Sequence, residues 1–266
     1  RPFDDNDGRA AVTDKYLIAQ CFYAHSTQLL INAAEVLGKQ EDVDKYTALL
    51  KDIKSAFAKE YMTPNGRLVS GTQTAYVLAL NFDMLPENLR QRAAGRLVEN
   101  IKSYDYHLTT GFLGTPYLTR VLSRFGYHDV AYTLLMQKTY PSWLYPVTAG
   151  ATTIWERWDG RKPDGTFQTP GMNSFNHYAY GAIGNWMYRE LAGINSSEVI
   201  GETGYKKIIL TPHFKNNYAS ERVANDNDSA TLTDVSGSLE TYYGIIESTW
   251  KLNENTVTYE VKIPVN

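Results

Sequence analysis

The chain has 266 residues, of which 43% are hydrophobic and 21% charged, so it is long enough to bury a sizeable apolar core. Its formal net charge of −3 gives no electrostatic basis for binding nucleic acid, and we expect no nucleic-acid partner. No apolar run is long enough to cross a bilayer, so no membrane partner is expected either. The single Cys21 excludes an intramolecular disulfide, and its apolar helical surroundings predict a core position.

Three segments predict helices that are buried on nearly every side. The first, Val12–Leu37, is apolar nearly all round, with Thr13 or Asp14 as its N-cap and Gly38 after its end. The others are Thr72–Phe82 and Phe175–Leu191, which are also broadly apolar. Helices of this kind form the inside of a helical domain.

Other segments predict helices with one apolar stripe on a solvated surface. Asp42–Tyr61 repeats apolar residues at steps of three and four, and the helix after Pro86 does the same at Leu89, Ala93, Leu97 and Ile101. Residues 117–125 and 129–138 predict a further short pair of helices. Because buried and amphipathic helices alternate along the chain, we expect an α/α toroid with an inner and an outer layer.

After Gly193 the pattern changes to short alternating strands. Four segments alternate apolar and polar residues, which predicts antiparallel strands with one buried face: residues 205–211, 238–244, 245–250 and 257–263. We therefore predict a mainly α chain, with residues 1–194 in a partial toroid and residues 195–266 in an incomplete antiparallel β-sandwich. The chain begins at Arg1 without methionine and stops at Asn266 within a strand-like pattern, so we expect it to belong to a longer protein.

A carboxylate between two tryptophans marks the most informative segment. Glu156 stands between Trp155 and Trp158, and tryptophan faces cover the C–H faces of a sugar ring while a nearby carboxylate acts on a water or on the anomeric carbon. Most glutamates are ordinary surface charges, but five tryptophans in a whole chain rarely cluster so tightly. We therefore interpret Glu156 as a catalytic candidate and the two tryptophans as candidate sugar-binding residues.

A second polar group follows about twenty residues later. With Ser174 as a predicted N-cap, Asn176 and His177 fall in the first turn of a helix, where the positive helix end disfavours an imidazolium ion. A neutral His177 is then able to exchange one hydrogen bond with a sugar hydroxyl, although a lone histidine beside an apolar helix is more often structural.

Weaker candidates lie in two helix-entering stretches. Phe112 and Thr115 belong to the glycine- and proline-containing stretch Thr109–Tyr117, and Gln73 starts the second buried helix. The first stretch is equally explained as a loop that enters a helix, and the second as a helix cap. The remaining histidines have no ligand-like spacing, so we expect neither a metal site nor a cofactor.

These motifs resemble the α-L-rhamnosidases of glycoside hydrolase family 78. The resemblance rests on Trp155-Glu156-Arg157-Trp158, on Asn173–Tyr178 and on Pro141–Tyr145, and it covers nearly the whole chain. It implies the later part of an (α/α)6 barrel followed by a β-sandwich, with Glu156 as general base and with His177 in contact with the substrate. It also implies removal of terminal α-L-rhamnose from a glycoside or polysaccharide with inversion at the anomeric carbon.

The family's general acid lies in an Asp-x-Pro-x-Arg-x-Glu stretch, which this sequence lacks. The resemblance therefore implies an active full-length enzyme and an inactive chain on its own, and it leaves a homodimer of the full-length protein as an alternative to a monomer. The residues also admit another toroid glycosidase, a polysaccharide lyase or a non-catalytic carbohydrate-binding fragment. A lyase would need a basic uronate-binding site, and basic residues do not gather near Glu156.

Overall fold

A computed structural model of the protein describes residues 13–214, 217–226, 231–254 and 256–265. The chain folds into two compact units, one ending at Tyr180 and the other beginning at Gly181. Arg1, Val12 and Asn266, on which part of the sequence interpretation rests, lie outside the described residues. The division into domains 1–194 and 195–266 stays a prediction.

The first unit is helical, and its helices pack in consecutive pairs. Helix α1 packs with α2, α3 with α4, and α5 with α6, while α3 also packs against both α1 and α5. This arrangement confirms the predicted alternation of inner and outer helices. The helices are α1 (Lys15–Val36), α2 (Gln40–Tyr61), α3 (Gln73–Asn81), α4 (Glu87–Ser103), α5 (Thr115–Arg124), α6 (His128–Met136) and α7 (Leu144–Thr148).

Helix α3 is buried on all sides, as its composition predicts. Every residue from Gln73 to Leu80 is buried, and the Thr72 side chain caps the helix by accepting from the Ala75 N–H. Helices α2 and α4 each bury one stripe only, through the residues Leu50, Ile53 and Phe57 in α2 and Ala93, Ala94, Leu97, Val98 and Ile101 in α4. The predicted stripes are confirmed.

Helix α1 has the predicted ends but not the predicted burial. Asp14 caps it by accepting from the Tyr16 and Leu17 N–H groups at 2.8 Å, and Gly38 follows it with φ of +65°. Cys21 is fully buried, as expected. However, Tyr16 is 64% exposed and several other apolar side chains of this helix are exposed, because α1 packs chiefly against α2 and α3. The prediction of burial on nearly every side is wrong for this helix.

The predicted helix Phe175–Leu191 is also wrong as one continuous element. A 3₁₀ turn at Ala179–Ala182, the short helix α8 (Ile183–Trp186) and a π-helical turn at Met187–Leu191 follow one another, and the four residues before Ala179 are not helical. Side chains there bind backbone N–H groups that a helix would use, since Ser174 Oγ accepts from Asn176 and His177 Nδ1 accepts from Ala179. Ser174 is therefore not an N-cap.

After α8 and the π-helical turn, the described residues of the second unit form two antiparallel sheets and one further short helix. Strands β1 (Ile194–Ser196) and β2 (Ile208–Leu210) pair with each other, and β3 (Asp234–Thr241), β4 (Gly244–Asn253) and β5 (Thr256–Lys262) form a three-stranded sheet. Helix α9 (Glu221–Asp226) precedes β3. The antiparallel prediction is confirmed, whereas β1 was not predicted because three residues are too few to show an alternation.

One face of β4 anchors the second unit. Ile246, Ser248 and Trp250 alternate along the strand and are all fully buried. The Trp250 indole N–H donates to the Leu191 carbonyl at 2.7 Å, and the Ser248 hydroxyl donates to the Ala192 carbonyl at 2.6 Å. The buried polar atoms of β4 are thus satisfied by the chain that precedes β1.

Candidate active site

Two irregular segments of the first unit pair side by side and bring the main candidates together. The Glu156 N–H donates to the Ser174 carbonyl at 2.9 Å, and the His177 N–H donates to the Ile154 carbonyl at 2.8 Å. The Thr153 hydroxyl also donates to the Phe175 carbonyl. The two segments, about twenty residues apart in sequence, are therefore neighbours in space. Glu156 lies on one of them and His177 on the other.

The Glu156 carboxylate is held at one oxygen. Its Oε2 accepts from the Ser174 N–H at 2.8 Å, so Ser174 binds Glu156 twice, through its N–H to the side chain and through its carbonyl to the Glu156 N–H. Within the part of the chain that the structure describes, Oε1 accepts no hydrogen bond, and the side chain is only half-buried. One oxygen is thus fixed while the other remains able to accept a proton from a water molecule.

The charge next to Glu156 is matched by a buried carboxylate. Arg157 donates to Asp159 through Nε at 3.0 Å and through Nη2 at 3.2 Å. Asp159 is 2% exposed and also accepts from the Gln168 amide at 2.7 Å. Bidentate pairing fixes the guanidinium plane of Arg157, the residue that follows Glu156. Apart from its place next to the motif, nothing in the residue pattern distinguishes Asp159.

The two tryptophans have different surroundings. Trp155 is 6% exposed and meets Phe175 edge to face, with ring centroids 5.2 Å apart. A Cβ added at Gly160 would come within 3.3 Å of the Trp155 ring and 2.8 Å of Asn173 Oδ1, so a larger residue there would require Asn173 to shift. Trp155 is therefore packed as a core residue, which does not support an open sugar-stacking face.

Trp158 is more exposed than Trp155 and is therefore the better candidate for stacking on a sugar. It is half-buried and stacks on Tyr180 with a centroid separation of 3.8 Å, and its indole N–H donates to the Thr110 carbonyl at 3.3 Å. Trp143 meets it edge to face at 5.6 Å. Burial raises the pKa of the Tyr180 phenol, which therefore remains protonated beneath Trp158. Sequence reasoning did not single out Tyr180, because it reads as one more apolar helix residue.

His177 is oriented by its own backbone neighbours. Its Nδ1 accepts from the Ala179 N–H at 3.3 Å, which requires the neutral tautomer with hydrogen on Nε2. The ring stacks on Phe112 at 4.7 Å with an interplanar angle of 8°. This contact is made by the backbone of the same segment and not by a helix end, and it leaves Nε2 as the ring nitrogen that donates. The adjacent Asn176 is exposed.

Gln73 holds the loop that carries Phe112. Its amide donates to the His107 carbonyl at 3.1 Å and accepts from the Thr109 N–H at 2.8 Å, and none of the side chain is exposed. Thr115 is also buried and shares a hydrogen bond with Thr110 at 2.8 Å. These contacts support positioning roles for Gln73 and Thr115 and do not support a direct sugar contact by either residue.

Neither a metal cluster nor a membrane span is found among the described residues. Within residues 13–214, 217–226, 231–254 and 256–265, no three His, Cys, Asp or Glu side chains gather as a metal site would require. The helices described in those ranges include none long and apolar enough to cross a bilayer.

Comparisons with known proteins define the class. Residues 3–191 match the model of the bacterial alpha-L-rhamnosidase 6 hairpin glycosidase domain, and residues 193–266 match the bacterial alpha-L-rhamnosidase C-terminal domain. The fold is accordingly a helical six-hairpin glycosidase domain followed by a small antiparallel sheet domain. The chain belongs to the bacterial α-L-rhamnosidase family.

Individual relatives agree with this assignment. The chain is 45% identical over 258 residues to an alpha-L-rhamnosidase of Streptomyces avermitilis, covering 96% of this chain and 24% of the relative. It is 42% identical to one of Formosa agariphila, covering 100% of this chain and 27% of that protein. A crystal structure of the Streptomyces avermitilis enzyme complexed with L-rhamnose is similar with a TM-score of 0.85 and 41% identity, over 95% of this chain and 22% of that one. The chain thus spans about a quarter of the length of these relatives.

Proposed function

We propose that this chain is the later part of an inverting α-L-rhamnosidase that removes terminal rhamnose from a glycoside or polysaccharide, with Glu156 as its general base. Membership of the family supports the activity, and the L-rhamnose complex of the Streptomyces avermitilis relative supports the sugar. The observation that carries the base assignment is the half-anchored Glu156 carboxylate.

Glu156 has the geometry of a base that acts on water. With Oε2 fixed by the Ser174 N–H, the Oε1 lone pairs are directed at one place, where a water molecule would be held and deprotonated. The Arg157–Asp159 pair keeps the neighbouring positive charge bound to its own carboxylate. An inverting glycosidase needs its two carboxyl groups roughly 6.5–9.5 Å apart to leave room for that water.

The sugar would be held by the residues around Glu156. His177 offers an Nε2–H donor to a ring hydroxyl, and the exposed Asn176 offers an amide. Trp158 is the candidate for covering a C–H face of the rhamnose ring. In the reaction, the deprotonated water bonds to the anomeric carbon as the glycosidic C–O bond breaks. The leaving oxygen takes a proton from the general acid, which lies outside this chain.

The decisive substitution is Glu156→Gln in the full-length protein. It removes the base while keeping the shape of the site, so turnover of an aryl α-L-rhamnoside should fall about 10²- to 10⁴-fold with most of the substrate affinity retained. Glu87→Gln, at an exposed position in the first turn of α4, is the matched control and should keep wild-type turnover. Wild-type turnover in Glu156→Gln would contradict the assignment.

Azide gives an independent test of the same role. Added azide needs no base, so it should attack the anomeric carbon from the side of the water and restore leaving-group release in Glu156→Gln. Its nitrogen bonds to carbon as the C–O bond breaks, which should give a glycosyl azide of inverted configuration. A product of retained configuration would overturn the inverting mechanism. The 266-residue chain alone, without the acid stretch, should show no hydrolysis, and robust activity from it would place the second carboxylate within this sequence.

A further inference from the structure

Tyr178 is an exposed aromatic residue directly beside the proposed sugar site. Its side chain is 88% exposed, although its neighbour in sequence, Ala179, is buried. The ring lies nearly parallel to that of His177, with centroids 5.4 Å apart and an interplanar angle of 8°. His177 also stacks on Phe112, at the same angle of 8°. The three rings are therefore nearly parallel, and Tyr178 is the most exposed of them.

This stack is anchored in the packed part of the first unit. Phe112 contacts Tyr180 at 5.3 Å, and Tyr180 stacks on Trp158, so aromatic contacts run without interruption from the motif tryptophan to Tyr178. The Trp143 indole N–H donates to the Tyr180 carbonyl at 3.0 Å. Because Tyr180 is 7% exposed, the inner end of the stack cannot shift without disturbing the core.

The backbone on both sides of Tyr178 is also fixed. His177 donates its N–H to the Ile154 carbonyl, and its ring accepts from the Ala179 N–H. These two contacts hold the residues before and after Tyr178, so the exposed ring has a defined position next to His177. A ring held in this way offers a flat apolar surface at little further cost in conformational entropy on binding.

We propose that Tyr178 is a specificity-determining residue, which stacks on the leaving group of the substrate, the part attached to rhamnose through the scissile bond. This inference rests on the proposed function. If rhamnose lies against Glu156 and His177, the attached group extends away from that pocket toward solvent, and Tyr178 is the most exposed of the three rings. The preferred leaving group is then a flat ring with an apolar face. Aromatic aglycones and pyranose sugars share this chemistry.

The test compares leaving groups with and without a ring in the full-length protein. For each variant, kcat/KM is measured with an aryl α-L-rhamnoside, with a rhamnosyl-glucose disaccharide and with α-L-rhamnosyl fluoride, whose leaving group has no ring. In Tyr178→Ala, the ratio of kcat/KM for the ring-bearing substrates to that for the fluoride should fall roughly 3- to 10-fold, on the scale of one aromatic pair. Whichever of the aryl rhamnoside and the disaccharide shows the larger fall in this ratio carries the leaving group that Tyr178 prefers.

Two control variants separate stacking from a structural effect. Tyr178→Phe keeps the ring and should preserve the wild-type ratio, whereas Tyr242→Ala removes a 96% exposed tyrosine of the second unit and should also preserve it. An unchanged ratio in Tyr178→Ala, or an equal loss on all three substrates, would overturn the stacking role and leave the proposed function intact. Absence of wild-type turnover on every rhamnoside would overturn the proposed function and this inference together.

Discussion

Helix α3 and the segment from Ile154 to His177 belong to the same unit but are held by different forces. Residues Gln73 to Leu80 of the helix are all buried, so apolar contact with α1, α4 and α5 fixes its position. The site segment is largely irregular and half-exposed, and its geometry depends on hydrogen bonds that the Ser174 N–H donates to Glu156 and the Gln168 side-chain amide donates to Asp159. Burial provides stability in the helix, whereas polar contacts provide precise placement at the site.

The largest expected change in stability comes from truncating a buried side chain of α3. Leu78 is fully buried, so Leu78→Ala should lower the free energy of unfolding by about 2–5 kcal/mol, measured by chemical denaturation. Leu37→Ala, at a residue that is 70% exposed after α1, should stay within about 0.5 kcal/mol of wild type. The folded Leu78→Ala protein should keep its kcat/KM. A loss of turnover without a loss of stability would contradict the separation of the two regions.

A smaller expected effect on stability, with a larger effect on catalysis, comes from Asp159→Asn. The substitution removes the charge that pairs with Arg157, whose side chain is only 14% exposed, and should cost about 1–3 kcal/mol of stability. Because Asp159 holds Arg157, the residue next to Glu156, its loss should displace the Glu156 carboxylate, and kcat of the full-length protein should fall about 10- to 100-fold. Asp164→Asn, an exposed carboxylate in the same stretch that binds Thr166, is the control. Unchanged kcat would limit Asp159 to a structural role.

The smallest expected effect concerns pH and the packing of His25 against the end of α3. His25 stacks on Phe82 at 4.3 Å, and burial lowers its pKa below the usual value of 6.5. The unfolded state therefore binds a proton first, so stability should fall as pH drops below about 6.5 and stop falling below the folded pKa. Thermal unfolding of His25→Phe between pH 5 and 8 should show a shallower dependence on pH. An identical slope would mean that other groups cause it.

Much of the helical layer was predictable because it depends on local periodicity. The stripes of α2 and α4, the Asp14 cap and the all-round burial of α3 follow from side chains placed every three or four residues. The sequence also identified the two segments that carry Glu156 and His177, since their residue types suit sugar chemistry. It did not identify Tyr180 or Asp159, because a tyrosine in an apolar run and an aspartate beside an arginine are ordinary patterns.

The burial of some residues differs from what their polarity predicts, because it depends on which parts of the chain pack against them. Tyr16 and Leu37 are apolar, but α1 packs chiefly against α2 and α3, so no local pattern could have revealed their exposure. Likewise, Gln73 is polar yet fully buried, because the backbone of His107 and Thr109 satisfies its amide.

Residue patterns along the chain were enough to predict the family, the alternation of helix types, the antiparallel strands and the two segments that form the candidate site. The tertiary structure alone decided which tryptophan is covered, which carboxylate matches Arg157 and how His177 is oriented. Those outcomes depend on contacts such as Trp158 with Thr110 and Ser174 with Glu156, whose partners are 48 and 18 residues apart in sequence. Propensity and periodicity act over a few neighbouring residues, whereas burial and hydrogen-bond partners are set by whatever the fold brings next to each side chain.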